Sequence, residues 1–346
     1  MTREELIQVA QQFREEGFFP SCAVSIFDAQ RTLCRFAIGD ALEDSLFDLA
    51  SLTKLATATM VLDGVEEGRF HLQDTLPELL PWARADEQFE RQLQGITLYQ
   101  LLTHTSGLPA WYPFYAHADF EGALKAALLL PRAQGMEYSD IGFILLGKVL
   151  EEAWQAPLDA VLRQRLVKPL GLGNYCFLPE PNQHILPSGY GNPQEMEIIK
   201  ASGVQYPGFR PADQPIVGQV HDGNSWYAFS GVSGHAGIFP DLDGVQRLGQ
   251  HYLNTESALK QSAMREHTSG RGLGFEVGEM YPEGCGHTGF TGTSLYLSKT
   301  LGVGCVILTN RCFYPDGNYK LTNPFRRKVN QLAAAHFGRQ QKDSDQ

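Results

Sequence analysis

The sequence predicts an α/β (α+β) protein in which both chain ends form one antiparallel sheet, flanked by helices, around an inserted and mainly helical middle. Strand-like runs lie near both ends of the chain, helical spacing dominates between them, and there is no internal repeat. The 346 residues, 43% of them hydrophobic, are enough for a sizeable core. We therefore expect a single unit with an α/β part at about 1–50 and 240–346 and a helical part at about 55–235.

The elements follow from the spacing of apolar residues and from the turn residues between them. In chain order we predict a helix at 3–16, strands at 22–27 and 32–38, helices at 51–67 and 140–154, strands at 293–298 and 302–309, and a helix at 324–337. The segment 178–218 is rich in Gly, Pro and Asn and has little periodicity. It is interpreted as a surface loop able to border a site.

Charge and cysteine usage exclude several classes of function. Acidic residues outnumber basic ones by 39 to 28, giving a formal charge of -11, so we expect neither nucleic acid nor membrane as a partner. Charges recur through the N-terminal segment, and no apolar stretch approaches the ~20 residues of a membrane span. The six cysteines show no C-x-x-C spacing and indicate buried free thiols. These features together predict a cytoplasmic protein.

Ser51-Leu52-Thr53-Lys54 is an S-x-x-K motif at the start of a predicted helix. Residues i and i+3 share a helix face, so a lysine whose pKa is lowered can accept the proton of the serine. The alternative is that Ser51 only caps the helix. The motif alone is weak, because Ser257 and Lys260 match it as well.

Two further motifs give Ser51 a context. Tyr138-Ser139-Asp140 precedes the clearest helix of the middle, where a tyrosine can relay the proton of the serine; the alternative is an ordinary part-buried tyrosine. His287-Thr288-Gly289 lies before the C-terminal strand pair, where a glycine-containing edge lets a substrate backbone approach closely; the alternative is a strand with a solvent-facing histidine. The serine in His104-Thr105-Ser106-Gly107 lacks a G-x-S-x-G elbow, and we interpret that segment as a structural turn.

In this order, S-x-x-K at Ser51, Y-x-[ND] at Tyr138 and [KH]-T-G at His287 resemble the serine β-lactamase and penicillin-binding-protein superfamily. The resemblance covers nearly the whole chain. It is greatest to the class C-like branch, which also holds D-alanyl-D-alanine carboxypeptidases, D-aminopeptidases and carboxylesterases. Segments that match this branch lie at 47–54, 101–108 and 286–292. Segments similar to a subfamily of bacterial cell-wall turnover, including enzymes that look like N-acetylmuramoyl-L-alanine amidases, lie at 220–224, 231–237 and 308–311.

The resemblance implies acyl transfer through a covalent intermediate. It implies Ser51 as the nucleophile, Lys54 and Tyr138 as shared base and acid, and an oxyanion site between the backbone N–H groups of Ser51 and Phe290. The substrate-binding residues that it implies are Asp140, His287, Thr288, Gly289 and His235. No metal or organic cofactor is needed, and His221, Asp222 and His235 fit no common zinc spacing.

Two positions depart from the β-lactamase pattern. Asp140 stands where asparagine is common, and an ionised carboxylate only accepts hydrogen bonds, which favours contact with Lys54 or a substrate N–H. His287 stands where lysine is common, and a histidine that is mostly neutral is a weaker anchor for a substrate carboxylate. Both changes argue against strong β-lactam hydrolysis and fit amidase, peptidase or esterase activity.

The expected function is therefore that of an amidase or peptidase on peptidoglycan-derived peptides or muropeptides, like an N-acetylmuramoyl-L-alanine amidase or a D-Ala carboxypeptidase. The expected partner is a small-molecule or peptide substrate, and the expected assembly is a monomer or a small homo-oligomer. A carboxylesterase with the same Ser-Lys-Tyr machinery is one alternative. A weak β-lactamase or a non-catalytic penicillin-binding sensor is another.

Overall fold

A computed structural model describes residues 1–339, and its centre is an antiparallel sheet built from both chain ends. The strands of this sheet are β1 (Cys22–Phe27), β2 (Thr32–Ile38), β5 (Cys285–Thr288), β6 (Ser294–Ser298) and β7 (Val303–Thr309), and a separate pair is formed by β3 (Tyr175–Phe177) and β4 (Ile238–Pro240). The order in the sheet is β2-β1-β7-β6-β5. Because β1 pairs with β7, with Cys22 opposite Thr309, the two chain ends meet at the sheet centre. The predicted fold class is confirmed.

Fourteen α-helices lie in the described part of the chain. They are α1 (Arg3–Glu15), α2 (Thr53–Glu66), α3 (Leu76–Leu79), α4 (Pro81–Ala85), α5 (Glu87–Leu93), α6 (Leu98–Leu102), α7 (Phe120–Ala127), α8 (Asp140–Trp154), α9 (Leu158–Leu162), α10 (Lys168–Leu170), α11 (Pro193–Ala201), α12 (Leu242–Asn254), α13 (Ala258–Ala263) and α14 (Asn323–Phe337). The eight elements predicted from the sequence are all present, with bounds within one or two residues of those predicted, whereas the long helix α12 and the strand β5 had no predicted bounds.

The sheet is buried on both faces, because side chains alternate along each strand. One face carries Val24 and Ile26 of β1 and packs against α1 and α14. The other face carries Ala23 and Phe27 and joins the large core that contains α12 and the helical region. Helix α2 lies at the centre of that core, where all but three of its residues are buried. The division into an α/β part and a helical part at the boundaries given above remains our proposal.

The segment predicted as a loop at 178–218 contains one helix, α11, from Pro193 to Ala201. Only Ile199 of this helix is buried, while Met196 and Ile198 are exposed. A helix that buries one side chain leaves no periodic apolar pattern in the sequence. The signal that marks it is Pro193 at its first turn, where the missing N–H has no cost.

Within residues 1–339, none of the helices combines the length and the apolar character needed to cross a bilayer. All six cysteines are free thiols, as the spacing indicated, and only Cys176 is not fully buried. Burial raises the pKa of the Cys312 thiol to about 12, which keeps it protonated at neutral pH.

Candidate active site

Ser51 lies in a 3-10 turn, Ala50–Leu52, that leads directly into α2. Ala50 has φ 47, in the left-handed region that residues with a Cβ rarely adopt. The buried Asp48 carboxylate holds this bend by accepting hydrogen bonds from the Ala50 N–H at 2.8 Å and the His221 N–H at 2.6 Å. Burial raises the pKa of Asp48 to about 6, although the two N–H groups oppose the shift.

The Ser51 hydroxyl is bonded to Lys54 and does not cap α2. Lys54 Nζ lies 3.0 Å from Ser51 Oγ, and no side-chain capping bond is made at the start of the helix. Ser51 is partly exposed whereas Lys54 is completely buried. The capping alternative is therefore not what the structure shows at this serine.

Lys54 is surrounded by acceptors. Its Nζ lies 2.7 Å from Asp140 Oδ1, as a close ion pair, and donates to the His235 carbonyl oxygen at 3.2 Å. Burial by itself lowers the pKa of Lys54, but the negative charge of Asp140 and the Tyr138 hydroxyl outweigh it, so the net shift is upward. Lys54 is consequently an ammonium group at neutral pH.

Tyr138 stands beside this ammonium. Lys54 Nζ is 4.9 Å from the centre of the Tyr138 ring, and the Arg271 guanidinium is 5.1 Å from it. Burial raises the pKa of Tyr138, although Lys54 and a hydrogen bond to Ser51 act in the opposite direction. Tyr138 is therefore a neutral phenol in the resting protein.

The turn at His104 packs against Tyr138. The imidazole lies against the tyrosine ring with 4.5 Å between ring centres, and its Nδ1 accepts the Ser139 N–H at 3.0 Å. His104 itself has φ 57 and is buried. Ser106 Oγ accepts the Leu108 N–H at 3.3 Å, as expected of a structural turn. Ser139 caps α8, which places Asp140 in the first turn of that helix and directed at Lys54.

His287 lies on the edge strand β5 and is buried. Its Nδ1–H donates to the Thr288 carbonyl at 2.8 Å, so Nε2 is a bare acceptor, and this atom is buried without a hydrogen-bond partner among residues 1–339. Burial, together with Arg271 and Lys54, lowers the pKa of His287 well below its usual range. The side chain is neutral and lies 6.1 Å from the Tyr138 ring, measured between ring centres.

The loop after β5 is fastened to the segment that precedes Ser51. Thr291 Oγ1 donates to the Asp48 carbonyl at 2.6 Å, and Thr293 Oγ1 donates to the Leu49 carbonyl at 2.9 Å. Gly289 approaches the same backbone so closely that a Cβ there would collide with the Leu49 carbonyl oxygen. These contacts bring Phe290, which is 41% exposed, to the cavity wall that Ser51 also lines.

His235 is buried next to Lys54, which donates a hydrogen bond to its carbonyl oxygen. Its Nε2 is 2.8 Å from Asp222 Oδ1, and its Nδ1 is 2.8 Å from Ser233 Oγ. Burial raises the pKa of Asp222, but the interaction with His235 outweighs it and brings the value down to about 2. Asp140, Asp222 and His235 are close enough to suggest metal ligands. Their facing atoms are already occupied by Lys54 and by one another, so the arrangement fits the Lys54–Asp140 ion pair and a hydrogen-bonded Asp222–His235 pair better than a metal site.

The site opens into a cavity of about 500 Å³. Of the residues proposed from the sequence, Ser51, Tyr138, Asp140 and Phe290 line it. The others do not: Lys54, His235 and His287 are buried, and Thr288 and Gly289 belong to the β5 edge. Sequence reasoning missed Glu195 as a cleft residue, since it assigned 178–218 to a border loop without choosing a side chain.

Comparisons with known proteins show which family the chain belongs to. The profile described as Beta-lactamase matches residues 6–330. A putative D-alanyl-D-alanine carboxypeptidase of Escherichia coli (strain K12) is 27% identical over 337 residues, which is 85% of this chain and 76% of that protein. An N-acetylmuramyl-L-alanine amidase of Bacillus subtilis (strain 168) is 28% identical over 309 residues, 78% of this chain and 69% of that protein.

Solved structures show the same fold at low sequence identity. EstCE1, a hydrolase with promiscuous acyltransferase activity, superposes with a TM-score of 0.69 at 18% identity, covering 94% of this chain and 97% of that one. The octameric penicillin-binding protein homologue from Pyrococcus abyssi gives 0.68 at 17% identity, covering 91% and 75%. With the profile spanning nearly the whole sequence, the chain belongs to the Beta-lactamase family and is a serine hydrolase.

Proposed function

We propose that Ser51 is the nucleophile of an amidase or peptidase that cleaves peptidoglycan-derived peptides or muropeptides through an acyl-enzyme. The observation that carries this proposal is the Ser51 hydroxyl, partly exposed at the cavity wall and 3.0 Å from Lys54 Nζ. A serine at neutral pH needs such a neighbour to take its proton. Here that neighbour lies one helical turn away, within reach of Tyr138 as well.

Lys54 and Tyr138 act as one proton-carrying pair in this proposal. Both groups are protonated at rest, so the reactive form carries one proton fewer, as the Lys54 amine or the Tyr138 phenolate, and the two titrations are coupled. The pair takes the proton of Ser51 as Oγ attacks the carbonyl carbon. It gives this proton to the leaving amine when the C–N bond breaks, and it then takes a proton from the water that releases the acyl group and returns it to Ser51 Oγ.

The oxyanion binds to the backbone N–H groups of Ser51 and Phe290. The Ser51 N–H belongs to the first turn of the helical segment, where an N–H has no acceptor within the helix. The Phe290 N–H has no backbone acceptor among residues 1–339. Since Thr291 and Thr293 fasten the Phe290 loop beside the nucleophile, both donors are fixed before substrate arrives, as electrostatic stabilisation requires.

The outer edge of β5 has backbone groups that can pair with an extended substrate backbone. Gly286 uses its N–H and C=O toward Glu276, on the side of β5 away from β6. Alternation along the strand directs the same groups of Thr288 to that side, beyond the end of the Glu276 contact. We propose that Thr288 pairs with the peptide, while Gly289 allows the close approach and His287 Nε2 accepts a hydrogen bond at the same end.

Two features favour an amide in a peptide-like substrate. Relatives of this chain are named as a D-alanyl-D-alanine carboxypeptidase and as an N-acetylmuramyl-L-alanine amidase, both of which cleave amides by name. The Arg271 guanidinium over the Tyr138 ring makes no side-chain hydrogen bond or ion pair within residues 1–339, and it can receive a substrate carboxylate that the neutral His287 cannot. The uncharged His287 argues against strong β-lactam hydrolysis as the main activity.

The test is incubation with purified muropeptides followed by mass spectrometry of the products. We expect cleavage at an amide bond, loss of that cleavage in Ser51→Ala, and retention in Ser257→Ala, which changes the other S-x-x-K serine. An acyl adduct on the peptide that contains Ser51 would identify the nucleophile and the acyl half of the substrate. Absence of amide cleavage, or equal cleavage by Ser51→Ala, would refute the proposal.

A carboxylesterase is the second candidate, because the structurally similar EstCE1 is a hydrolase with promiscuous acyltransferase activity and several aromatic side chains line the cavity. The same nucleophile, proton pair and oxyanion donors serve an ester. Short-chain nitrophenyl esters that are turned over far faster than any muropeptide, in a Ser51-dependent manner, would favour this candidate.

A further inference from the structure

The active-site cavity carries acidic groups and lacks basic ones. The charged side chains in its lining are Asp140, Glu195 and Asp222, and neither lysine nor arginine is among the described residues that line it. Asp140 is balanced by Lys54 at 2.7 Å, and Asp222 contacts His235 at 2.8 Å. Among residues 1–339, Glu195 has neither a lysine nor a histidine in contact with its carboxyl group, which distinguishes it from the other two.

Glu195 lines the cavity, and one of its two carboxyl oxygens has no regular hydrogen-bond partner among residues 1–339. Its Oε1 accepts the Gly223 N–H at 2.9 Å, whereas Oε2 is buried without a hydrogen-bond partner among residues 1–339. The neighbouring Tyr115 hydroxyl lowers the pKa of Glu195 as a hydrogen-bonding group, although the two side chains do not meet in full hydrogen-bond geometry. Arg210 is near enough to lower the pKa of Glu195 by its charge, but its side chain donates to the Val220 carbonyl at 3.0 Å and to the Tyr227 hydroxyl at 3.2 Å, and its Nη1 makes no hydrogen bond among residues 1–339. A buried carboxyl oxygen left in this state is stabilised by a cation that reaches it.

Glu195 holds its proton at neutral pH. Burial and the neighbouring Asp222 raise the pKa of Glu195 to about 8, against the opposing effects of the Gly223 N–H, Tyr115 and Arg210. A cation that binds there favours the ionised carboxylate and therefore displaces the proton. Release of this proton therefore reports the binding of a cation in the cavity.

The rest of the wall suits an alkyl chain that ends in a cation. Aromatic rings line the cavity at Trp111, Tyr190, Phe290, Tyr314 and Tyr319. Aromatic faces attract an ammonium group through the ring quadrupole, and they also cover methylene groups. An anionic or carboxylate-bearing arm, by contrast, finds no basic side chain on this wall.

We propose that the arm of the substrate that enters this cavity bears a primary ammonium group, which Glu195 binds together with Asp222. This inference rests on the proposed function, because the same cavity holds Ser51. It narrows the substrate to peptides or acyl groups with a free α-amino group or an amino-terminated side chain. A neutral sugar arm is the competing occupant of an aromatic and acidic cavity, and the experiment separates the two.

The test compares nitrophenyl esters that differ only in charge. Glycyl, 6-aminohexanoyl and 8-aminooctanoyl esters are each paired with the uncharged acetyl, hexanoyl and octanoyl ester, with Ser51→Ala as the blank. We expect kcat/KM for at least one amino ester to exceed that of its neutral partner by roughly tenfold or more, and Glu195→Gln to abolish most of this preference. The matched control is Glu197→Gln, on the exposed side of the same helix, which should leave the preference intact.

Calorimetry with n-hexylammonium chloride provides a readout that does not need catalysis. We expect binding to the unmodified chain and to Ser51→Ala, with release of a proton at pH 7, and weaker binding to Glu195→Gln. Equal turnover of paired esters, preference retained in Glu195→Gln, or binding of N-acetylglucosamine in place of hexylammonium would each overturn the inference. If no ester is turned over through Ser51 but hexylammonium still binds at Glu195, the proposed function fails and the ammonium site stands.

Discussion

The chain contains two S-x-x-K motifs, and the structure uses them in opposite ways. At Ser257 the hydroxyl caps α13 by accepting the Lys260 N–H at 3.1 Å, and it also bonds to Glu66. Lys260 is held by Asp63 at 2.8 Å and Glu66 at 2.5 Å. At Ser51 the hydroxyl makes no cap and faces a cavity, with Lys54 bonded to it.

The difference lies in the surroundings rather than in the motif. Both lysines are buried and the pKa of each is raised, because neighbouring carboxylates outweigh the effect of burial. Only Lys54 also has Tyr138 beside it and a serine that lines the cavity within reach. A spacing of three residues therefore brings a serine and a lysine together, and the contacts from distant segments determine whether the pair stabilises a helix or performs chemistry.

Replacing the two serines by alanine gives the largest expected contrast. Ser51→Ala should lower kcat by at least about 10³-fold, since it removes the nucleophile, with little effect on stability. Ser257→Ala should leave kcat unchanged and lower the free energy of unfolding by about 1 kcal/mol, the usual value of a lost cap. Ester hydrolysis and urea unfolding of both variants measure this. Equal loss of activity in the two variants would contradict the assignment.

The two lysines provide the next contrast. Lys54→Met should reduce kcat/KM by about 10² to 10⁴-fold, the range typical of a lost acid–base group. Lys260→Met should retain activity but be less stable, because Asp63 and Glu66 lose their shared cation. Rates are compared with melting temperatures for each variant. A Lys54→Met enzyme with a normal rate would exclude Lys54 from proton transfer.

Asp140→Asn should move the pH dependence of activity. The reactive form needs the Lys54–Tyr138 pair to lose a proton, so kcat/KM rises with pH through the pKa of the pair. Asp140 raises the pKa of Lys54 and of Tyr138, and its removal therefore shifts the rising limb to lower pH. The profile of ester hydrolysis from pH 5 to 10 measures this. Asp159→Asn, an exposed acid in the first turn of α9, is the control and should leave the limb in place.

Asp48→Asn should change how the free energy of unfolding depends on pH. This prediction concerns only the surroundings of the S-x-x-K motif at Ser51. Asp48 has a pKa of about 6 in the fold and an ordinary value of 3.8, so the folded state holds more protons between those values and stability falls as pH rises through them. The variant lacks this decline. Relative to wild type it should gain roughly 2 kcal/mol in unfolding free energy between pH 4 and pH 7.5. Asp44→Asn, an exposed position, should show no such gain.

Sequence reasoning succeeded where the signal was local. The strands from Cys22 and from Val303, and the helix from Asp140, could be predicted because periodicity and turn residues mark them. Helix α11 could not, since it buries only Ile199. Glu195, which lies on this helix, was missed as well. Its position depends on where the segment folds relative to Ser51, and no short-range sequence pattern encodes that.

The sequence by itself determined the fold class, the order of the Ser51, Tyr138 and His287 motifs, and the contact between Ser51 and Lys54, because neighbours in a helix or strand follow from spacing alone. The tertiary structure decided the charge on Lys54, which depends on Asp140, and the neutrality of His287, which depends on burial. It also decided that Glu195 lines the cavity beside Ser51. The physical reason is that solvation and electrostatic interactions depend on every group packed nearby, whatever its distance along the chain.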